Sequence, residues 1–181
     1  MRFLAARLVS RYDQMLQKRP LLTQCITAGT LCALGDVLAQ QVFEKPEVHN
    51  YARTLKMGGF GFFYYAPLCS KWMVLAERLF PGTSPASMIK KVVVDQLIIS
   101  SILMTCFLII NEVIDGRGVD SGLKKIEKDF TTMIVANWQV WVPTQFINFY
   151  FMPLHYRVIY INVVAFFWNI YVSWKAHSHL R

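Results

Sequence analysis

The sequence predicts an all-α fold: a polytopic membrane helix bundle of about four transmembrane helices, preceded by an amphipathic N-terminal helix. Three observations predict it. The 181 residues are 55% hydrophobic and only 17% charged, against about 25% charged in an ordinary soluble domain. The mean hydropathy is +0.35. The apolar residues also fall in runs about as long as a bilayer is thick.

The formal net charge of +8 would suggest a nucleic-acid partner in a soluble chain. Here the basic residues stand mostly at the ends of apolar runs, where Lys and Arg meet headgroups. No basic stripe is interleaved with stacking aromatics, so a direct nucleic-acid partner is not expected; the bilayer itself is the first partner. Cys25, Cys32, Cys69 and Cys106 all lie inside apolar stretches with no CxxC pair or Cys/His ligand spacing. They read first as small buried hydrophobes and second as redox candidates. No metal site and no cofactor is expected.

Residues 1–19 form a basic arm. At about 100° per residue, Leu4, Leu8, Tyr12, Met15 and Leu16 share one face, while Arg7, Arg11, Gln14 and Lys18 share the other. Such a helix suits the membrane interface, and its Arg-rich character resembles a mitochondrial targeting segment. A single transmembrane helical domain is expected over 20–175, with a polar tail at 176–181. Its first span, 21–43, follows Pro20 and measures roughly 34 Å as a helix. Small residues recur along it (Cys25, Ala28, Gly29, Cys32, Gly35, Ala39), a stripe that lets another helix approach closely.

The second span, 51–75, carries Gly58, Gly59 and Gly61 among aromatics and is expected to kink at Pro67. The stretch Phe80–Pro85 then separates two helices, with Ser84 as N-cap and Pro85 in the first helical position. The third span, 89–114, is the clearest: Leu97–Ile110 carries no charge, Asp95 and Gln96 interrupt its first half, and the glycines of Asp115–Gly118 close it. Residues 119–130 are polar and read as the start of an interfacial helix. Beyond them, 131–152 and 156–174 are each apolar enough to span. Pro143 is expected to break the first, and Pro153, His155 and Arg157 to separate the two. Either both span or one packs against the other. Basic residues number five in the arm, three in the second link and two in the tail, against two and four in the first and third links. That bias puts both termini on the positive side.

Ionisable and amide groups within spans carry the more specific signal, since they should face other helices or a wet cavity. The candidates are Asp36, Gln40, Asp95, Gln96, Asn111, Glu112, Asn137, Gln145, Asn148, Arg157, Asn162 and Asn169. Each could line an aqueous path, or could lock the bundle by pairing with Arg53, Lys56, Lys71 or Arg157. Gly29, Gly35, Gly58, Gly59 and Gly61 are the candidate helix-packing positions.

Four blocks of the chain, TAGTLCALGDVLAQQ (27–41), PGTSPASMIKKVVVDQ (81–96), WVPTQFINFYFMPLHYRV (141–158) and WNIYVSWKAH (168–177), resemble the Mpv-seventeen / 22-kDa peroxisomal membrane protein family. They stand in the family's order and the resemblance covers nearly everything from Pro20 onward. The last block and the short arm look closest to the mitochondrial inner-membrane branch, the peroxisomal membrane being the alternative. The resemblance implies four transmembrane helices, no enzymatic chemistry, and a weakly selective channel for small solutes or metabolites. It also implies a link to mitochondrial DNA maintenance. Its signature positions here are Gly35, Asp36, Gln40, Pro81, Gly82, Asp95, Gln96, Trp141, Pro143, Gln145, Asn148, Pro153, Tyr156, Arg157, Trp168, Asn169 and Trp174.

Three function classes follow. A channel fits helices with carboxylates and amides inside them; close-packed bundles fill their centres with side chains, so the path is narrow and gated or is completed by a homo-oligomer. A scaffolding membrane protein without transport is the second. An enzyme is disfavoured, because HExxH, GxSxG and the phosphate-binding lysine loop are all missing.

Overall fold

The computed structural model describes residues 2–82, 84–152 and 154–177; the side chains of residues 1–6, 8–9, 153–156, 158–159 and 172–181 lie outside that description. The described residues are helical, without a strand. Their six helices are α1 (Arg2–Lys18), α2 (Pro20–Glu44), α3 (51–79), α4 (Pro85–Ile114), α5 (Gly118–Phe151) and α6 (Leu154–His177). Two of them, α2 and α4, are long and apolar enough to cross a membrane. The expected positions His155, Tyr156 and Trp174 fall outside the described side chains, as does Pro153. So does much of the apolar face of α1, while Arg7, Arg11, Gln14 and Lys18 are exposed.

Three helices contain a π turn, in which one extra residue widens the coil: Ala39–Glu44 in α2, Phe60–Tyr65 in α3 and Asp95–Ile99 in α4. Such turns redirect the side chains that follow and are frequent at functional sites. The one in α3 also answers the expectation at Pro67. Proline has no N–H for the Phe63 carbonyl, and the π turn immediately before it already departs from regular α bonding.

Pro143 corrects the sequence reading. It lies inside α5, which runs unbroken for 34 residues, so 119–130 and 131–152 form one helix rather than an interfacial piece and a broken span. A proline removes one backbone bond. Here the proline is exposed while its neighbours Trp141, Thr144 and Gln145 are buried, and their packing holds the helix through the gap. The Thr144 hydroxyl donates to the Val140 carbonyl at 2.6 Å beside it. At the other turns the local reading holds: Ser84 caps α4 by accepting from the Ser87 N–H at 3.2 Å, and Gly116, at φ 76°, follows the end of α4.

The described chain forms two compact units. The first comprises α1, α2, α3 up to Lys71 and α6 from Trp168. In it α2 and α3 meet along a seam of small residues. A Cβ on Gly61 would stand 2.7 Å from Cys32 Sγ and 2.8 Å from the Ala28 carbonyl, and one on Gly29 would stand 3.1 Å from the Gly58 carbonyl. Gly35 meets Asn169 of α6 in the same way, at 3.0 Å. Cys25, Ala28 and Ala66 form the core of this seam, flanked by Phe62 and Tyr65. Gly59 takes no part: no described atom lies within 4 Å of where its Cβ would be.

The second unit, Trp72–Phe167, contains the end of α3, all of α4 and α5, and the start of α6. Close approach of α4 and α5 is permitted by Gly122, whose Cβ would stand 2.9 Å from Ile109 Cα. Met88, Val92 and Phe149 form an apolar core with Met73 against it.

Candidate functional site

The intramembrane polar candidates separate into two buried networks and several local locks. In the first unit Asp36 is fully buried. It accepts from Arg53 Nε at 2.7 Å, from the Thr54 hydroxyl at 2.7 Å and from Gln40 Nε2 at 2.8 Å. Arg53 also places Nη1 and Nη2 on the two Glu44 oxygens at 2.6 and 2.8 Å, so one guanidinium serves two carboxylates of α2. Eight residues of regular α-helix would turn Glu44 about 80° away from Asp36. The π turn between them advances fewer degrees per residue and brings both to Arg53. Gln40 completes the joint, accepting from the Asn50 N–H at 2.8 Å and donating to the Asn50 carbonyl at 3.2 Å, while the Asn50 side chain caps α3. A carboxylate beside that helix N-terminus is also favoured by the helix dipole.

In the second unit Asp95 and Gln96 are both buried within the π turn of α4. Asp95 Oδ1 accepts from the Trp72 indole at 2.6 Å; Oδ2 accepts from Gln96 Nε2 at 2.6 Å and from Gln145 Nε2 at 3.2 Å. Among the described residues no cation lies within ion-pair distance of it. Asn137 donates to Gln96 Oε1 at 3.2 Å and to Ser100 at 2.8 Å, and the Trp138 indole reaches the Gln96 backbone carbonyl at 3.2 Å. Asn148 donates to Gln145 Oε1 at 3.2 Å, and its own Oδ1 is buried without a partner. Asn137, Trp141, Thr144, Gln145 and Asn148 thus make one buried polar stripe on α5, at helical spacing.

The other candidates do different things. Asn111 folds back onto the Phe107 carbonyl of its own helix at 2.7 Å. Glu112, at the end of α4, accepts from Arg117, Ser121 and Lys125 and so ties the α4–α5 turn. The Glu112 carboxylate in turn holds the Arg117 guanidinium above its ordinary value. Arg157 donates to Glu77 at 2.8 Å and to the carbonyls of Phe149 and Met152 at the end of α5. Asn169 reaches Cys32 Sγ at 3.2 Å. All four cysteines are free thiols, Cys25 and Cys32 buried. Asn162 Nδ2 is buried without a partner. Among the described residues no group of His, Cys, Asp and Glu could hold a metal.

Among the participants that escaped sequence reasoning are Trp72 as a donor to Asp95, Thr54 as a donor to Asp36, Glu44 as the second carboxylate on Arg53, and Glu77 as the shared partner of Lys91 and Arg157. An indole in an apolar run reads as packing, and nothing local marks its N–H. A signal did exist for Glu77, the one acidic residue between Glu47 and Asp95.

A family model described as the Mpv17 / PMP22 family matches residues 112–173. The chain is 37% identical over 169 residues to the mitochondrial inner membrane protein Mpv17 of Danio rerio, an alignment covering 92% of this chain and 96% of that relative. The Homo sapiens protein of the same name is 34% identical over 168 residues, with the same 92% and 96% coverage. Peroxisomal membrane protein 2 of Bos taurus is 32% identical over 176 residues, covering 94% of this chain and 90% of the relative. No solved structure matches the chain.

Proposed function

The chain belongs to the Mpv17 / PMP22 family, and from that premise we propose that it conducts small solutes or metabolites across the mitochondrial inner membrane through a narrow, gated path. The location rests on relatives whose names place them in that membrane; the bovine peroxisomal relative makes the peroxisomal membrane the alternative. One observation carries the conducting reading. Asp95 is a buried carboxylate inside a helix long enough to cross a bilayer, held by an indole and two amides with no cation beside it among the described residues. A carboxylate wanted only as glue is cheapest when paired, as Asp36 is. A carboxylate left to neutral donors is suited to meeting a passing cation or proton, and Asn148 Oδ1 adds an unused acceptor at the end of the same amide chain.

No catalytic chemistry enters this reading, and solute supply to the matrix is the route by which it would support mitochondrial DNA. Reconstitution in planar bilayers tests it. Wild-type protein is expected to show discrete conductance, and Asp95→Asn to shift its cation-over-anion preference while the unfolding transition stays cooperative. Silence of the wild type at every potential would overturn conduction. Unchanged ion preference in Asp95→Asn would remove Asp95 from the path. Loss of mitochondrial DNA copy number on deletion, restored by wild type and not by a non-conducting variant, checks the physiological part.

A further inference from the structure

Within the second unit, Glu77, Lys91 and Arg157 meet at one oxygen. Lys91 Nζ and Arg157 Nη1 donate to Glu77 Oε1 at 2.9 and 2.8 Å, so the two nitrogens stand close enough for one small oxyanion to touch both. The second Glu77 oxygen accepts no hydrogen bond among the described residues. The charges here are unequal. All 11 Asp and Glu side chains of the chain are described, and only Glu77 lies within ion-pair distance of either cation. Asp95, one turn further along α4, faces Trp72, Gln96 and Gln145 instead. Two buried positive charges, screened little by salt, therefore share one negative charge.

The two cations do not depend on that carboxylate for their places. Lys91, 1% exposed, also donates to the Gly82 carbonyl at 3.1 Å, and its ammonium stands 5.7 Å from the Phe149 ring centroid. Arg157 donates to the Phe149 and Met152 carbonyls at 3.2 and 3.1 Å, and its guanidinium stands 5.5 Å from the same ring centroid. An aromatic face and the end of a helix dipole both hold a cation without neutralising it. The carboxylate is the loosely held member. It comes from the last turn of α3, its side chain is 36% exposed, and one oxygen does all its bonding. Glu44, by contrast, is gripped by Arg53 through both oxygens.

We propose that Glu77 is a tethered stand-in for a soluble, doubly charged oxyanion of the phosphate class, which displaces its carboxylate and binds Lys91 Nζ and Arg157 Nη1. A single carboxylate leaves the pair one negative charge short. A dianion supplies that charge and offers several oxygens, so each cation gains an acceptor of its own. The ligand takes the seat the carboxylate vacates, and Glu77 turns outward on the side where it is already exposed. The headgroup of phosphatidylglycerol carries one negative charge and would replace Glu77 without gain, which is why the site is assigned to a soluble anion.

The test uses full-length protein in phosphatidylcholine nanodiscs, with phosphatidylglycerol added in one series, and is independent of conduction. Thermal unfolding and calorimetric titration compare inorganic phosphate with chloride and acetate at matched ionic strength, at about pH 8, where phosphate is mostly doubly charged. Phosphate is expected to raise the unfolding temperature of the wild type, and chloride and acetate to leave it unchanged. Glu77→Gln removes the tethered competitor and leaves the cations on their backbone acceptors. It is expected to unfold earlier in chloride, to recover in phosphate, and to bind phosphate about tenfold more tightly than wild type, since a tethered group competes at a high effective concentration. Adding Lys91→Gln to Glu77→Gln is expected to abolish the phosphate response. Lys124→Gln with Lys128→Gln, at exposed positions on α5, is expected to keep it. Absence of a phosphate-specific rise in both wild type and Glu77→Gln overturns the proposal and makes the triad a structural tie. So does weaker phosphate binding by Glu77→Gln, which would make Glu77 part of the seat and not its occupant. An equal rise with acetate, or a rise with phosphatidylglycerol and none with phosphate, overturns it as well.

Discussion

Asp36 and Asp95 are both buried carboxylates inside apolar helices, Asp36 three residues before a π turn and Asp95 at the start of one, yet they are satisfied in opposite ways. Asp36 is neutralised by Arg53, which Glu44 also grips with both oxygens, and the whole group sits where α2 meets the start of α3. Asp95 is held by an indole and two amides, and among the described residues no cation lies within ion-pair distance of it. The first arrangement fixes geometry, because every donor and acceptor is used by a partner on another turn of chain. The second leaves a charge whose counterion is not built in. Under the conducting reading proposed above, the pairing of one and the isolation of the other is what would divide a structural role from a transport role.

The largest test of that division removes Arg53. Arg53→Gln leaves Asp36 and Glu44 facing each other without their cation, in a place where Asp36 has no exposure. Breaking a buried pair by removing one partner costs about 3–5 kcal/mol. Thermal unfolding in detergent should show a loss of that size, and adding Asp36→Asn to the same chain should return part of it. Were the single variant as stable as wild type, Asp36 would not be held by charge and the contrast with Asp95 would collapse.

Trp72→Phe probes the other side of the comparison and should cost less. It keeps the ring in the core but removes the 2.6 Å donor to Asp95 Oδ1. A hydrogen bond to a charged group contributes about 1.5–3 kcal/mol, and Gln96 and Gln145 remain on the other oxygen. The expected result is a moderate loss of unfolding temperature together with a changed conductance, since the charge is then less firmly aimed. A stability loss as large as that of Arg53→Gln would show that Asp95 is glue after all.

Much of this was legible in the sequence. Apolar runs of bilayer length gave α2 to within a residue at each end and the C-terminal end of α4, and Ser84–Pro85 marked the start of α4, four residues before its apolar run, because capping is a local rule. Asp36, Gln40, Asp95, Gln96, Gln145 and Asn148 stood out as polar groups where lipid would punish them, and they are the members of the two networks. What stayed hidden was set by tertiary context. Pro143 looks like a break until its exposed side and the buried Trp141 and Gln145 are known. The π turns have no sequence signature, so the convergence of Glu44 and Asp36 on one arginine could not be read from an eight-residue spacing. Partners distant along the chain, such as Trp72 for Asp95, are a property of packing.

The smallest expected effects sharpen the structural half of the comparison, because the lock at Asp36 works only if α2 and α3 stay close. Gly61→Ala should open that seam: its Cβ would overlap Cys32 Sγ at 2.7 Å and the Ala28 carbonyl at 2.8 Å, and the carbonyl belongs to backbone that cannot swing away. Overpacking of this kind costs about 1–3 kcal/mol. Gly59→Ala, two residues earlier on the same helix, meets no described atom within 4 Å, so it only exchanges a poor helix former for a good one and should stabilise by about 0.5–1 kcal/mol. The same pair of glycines therefore predicts opposite signs in one unfolding assay. Equal losses at both would mean the glycines act through backbone freedom and not through close helix approach. A loss confined to Gly61 ties the Asp36–Arg53 joint to the α2–α3 seam that brings it together.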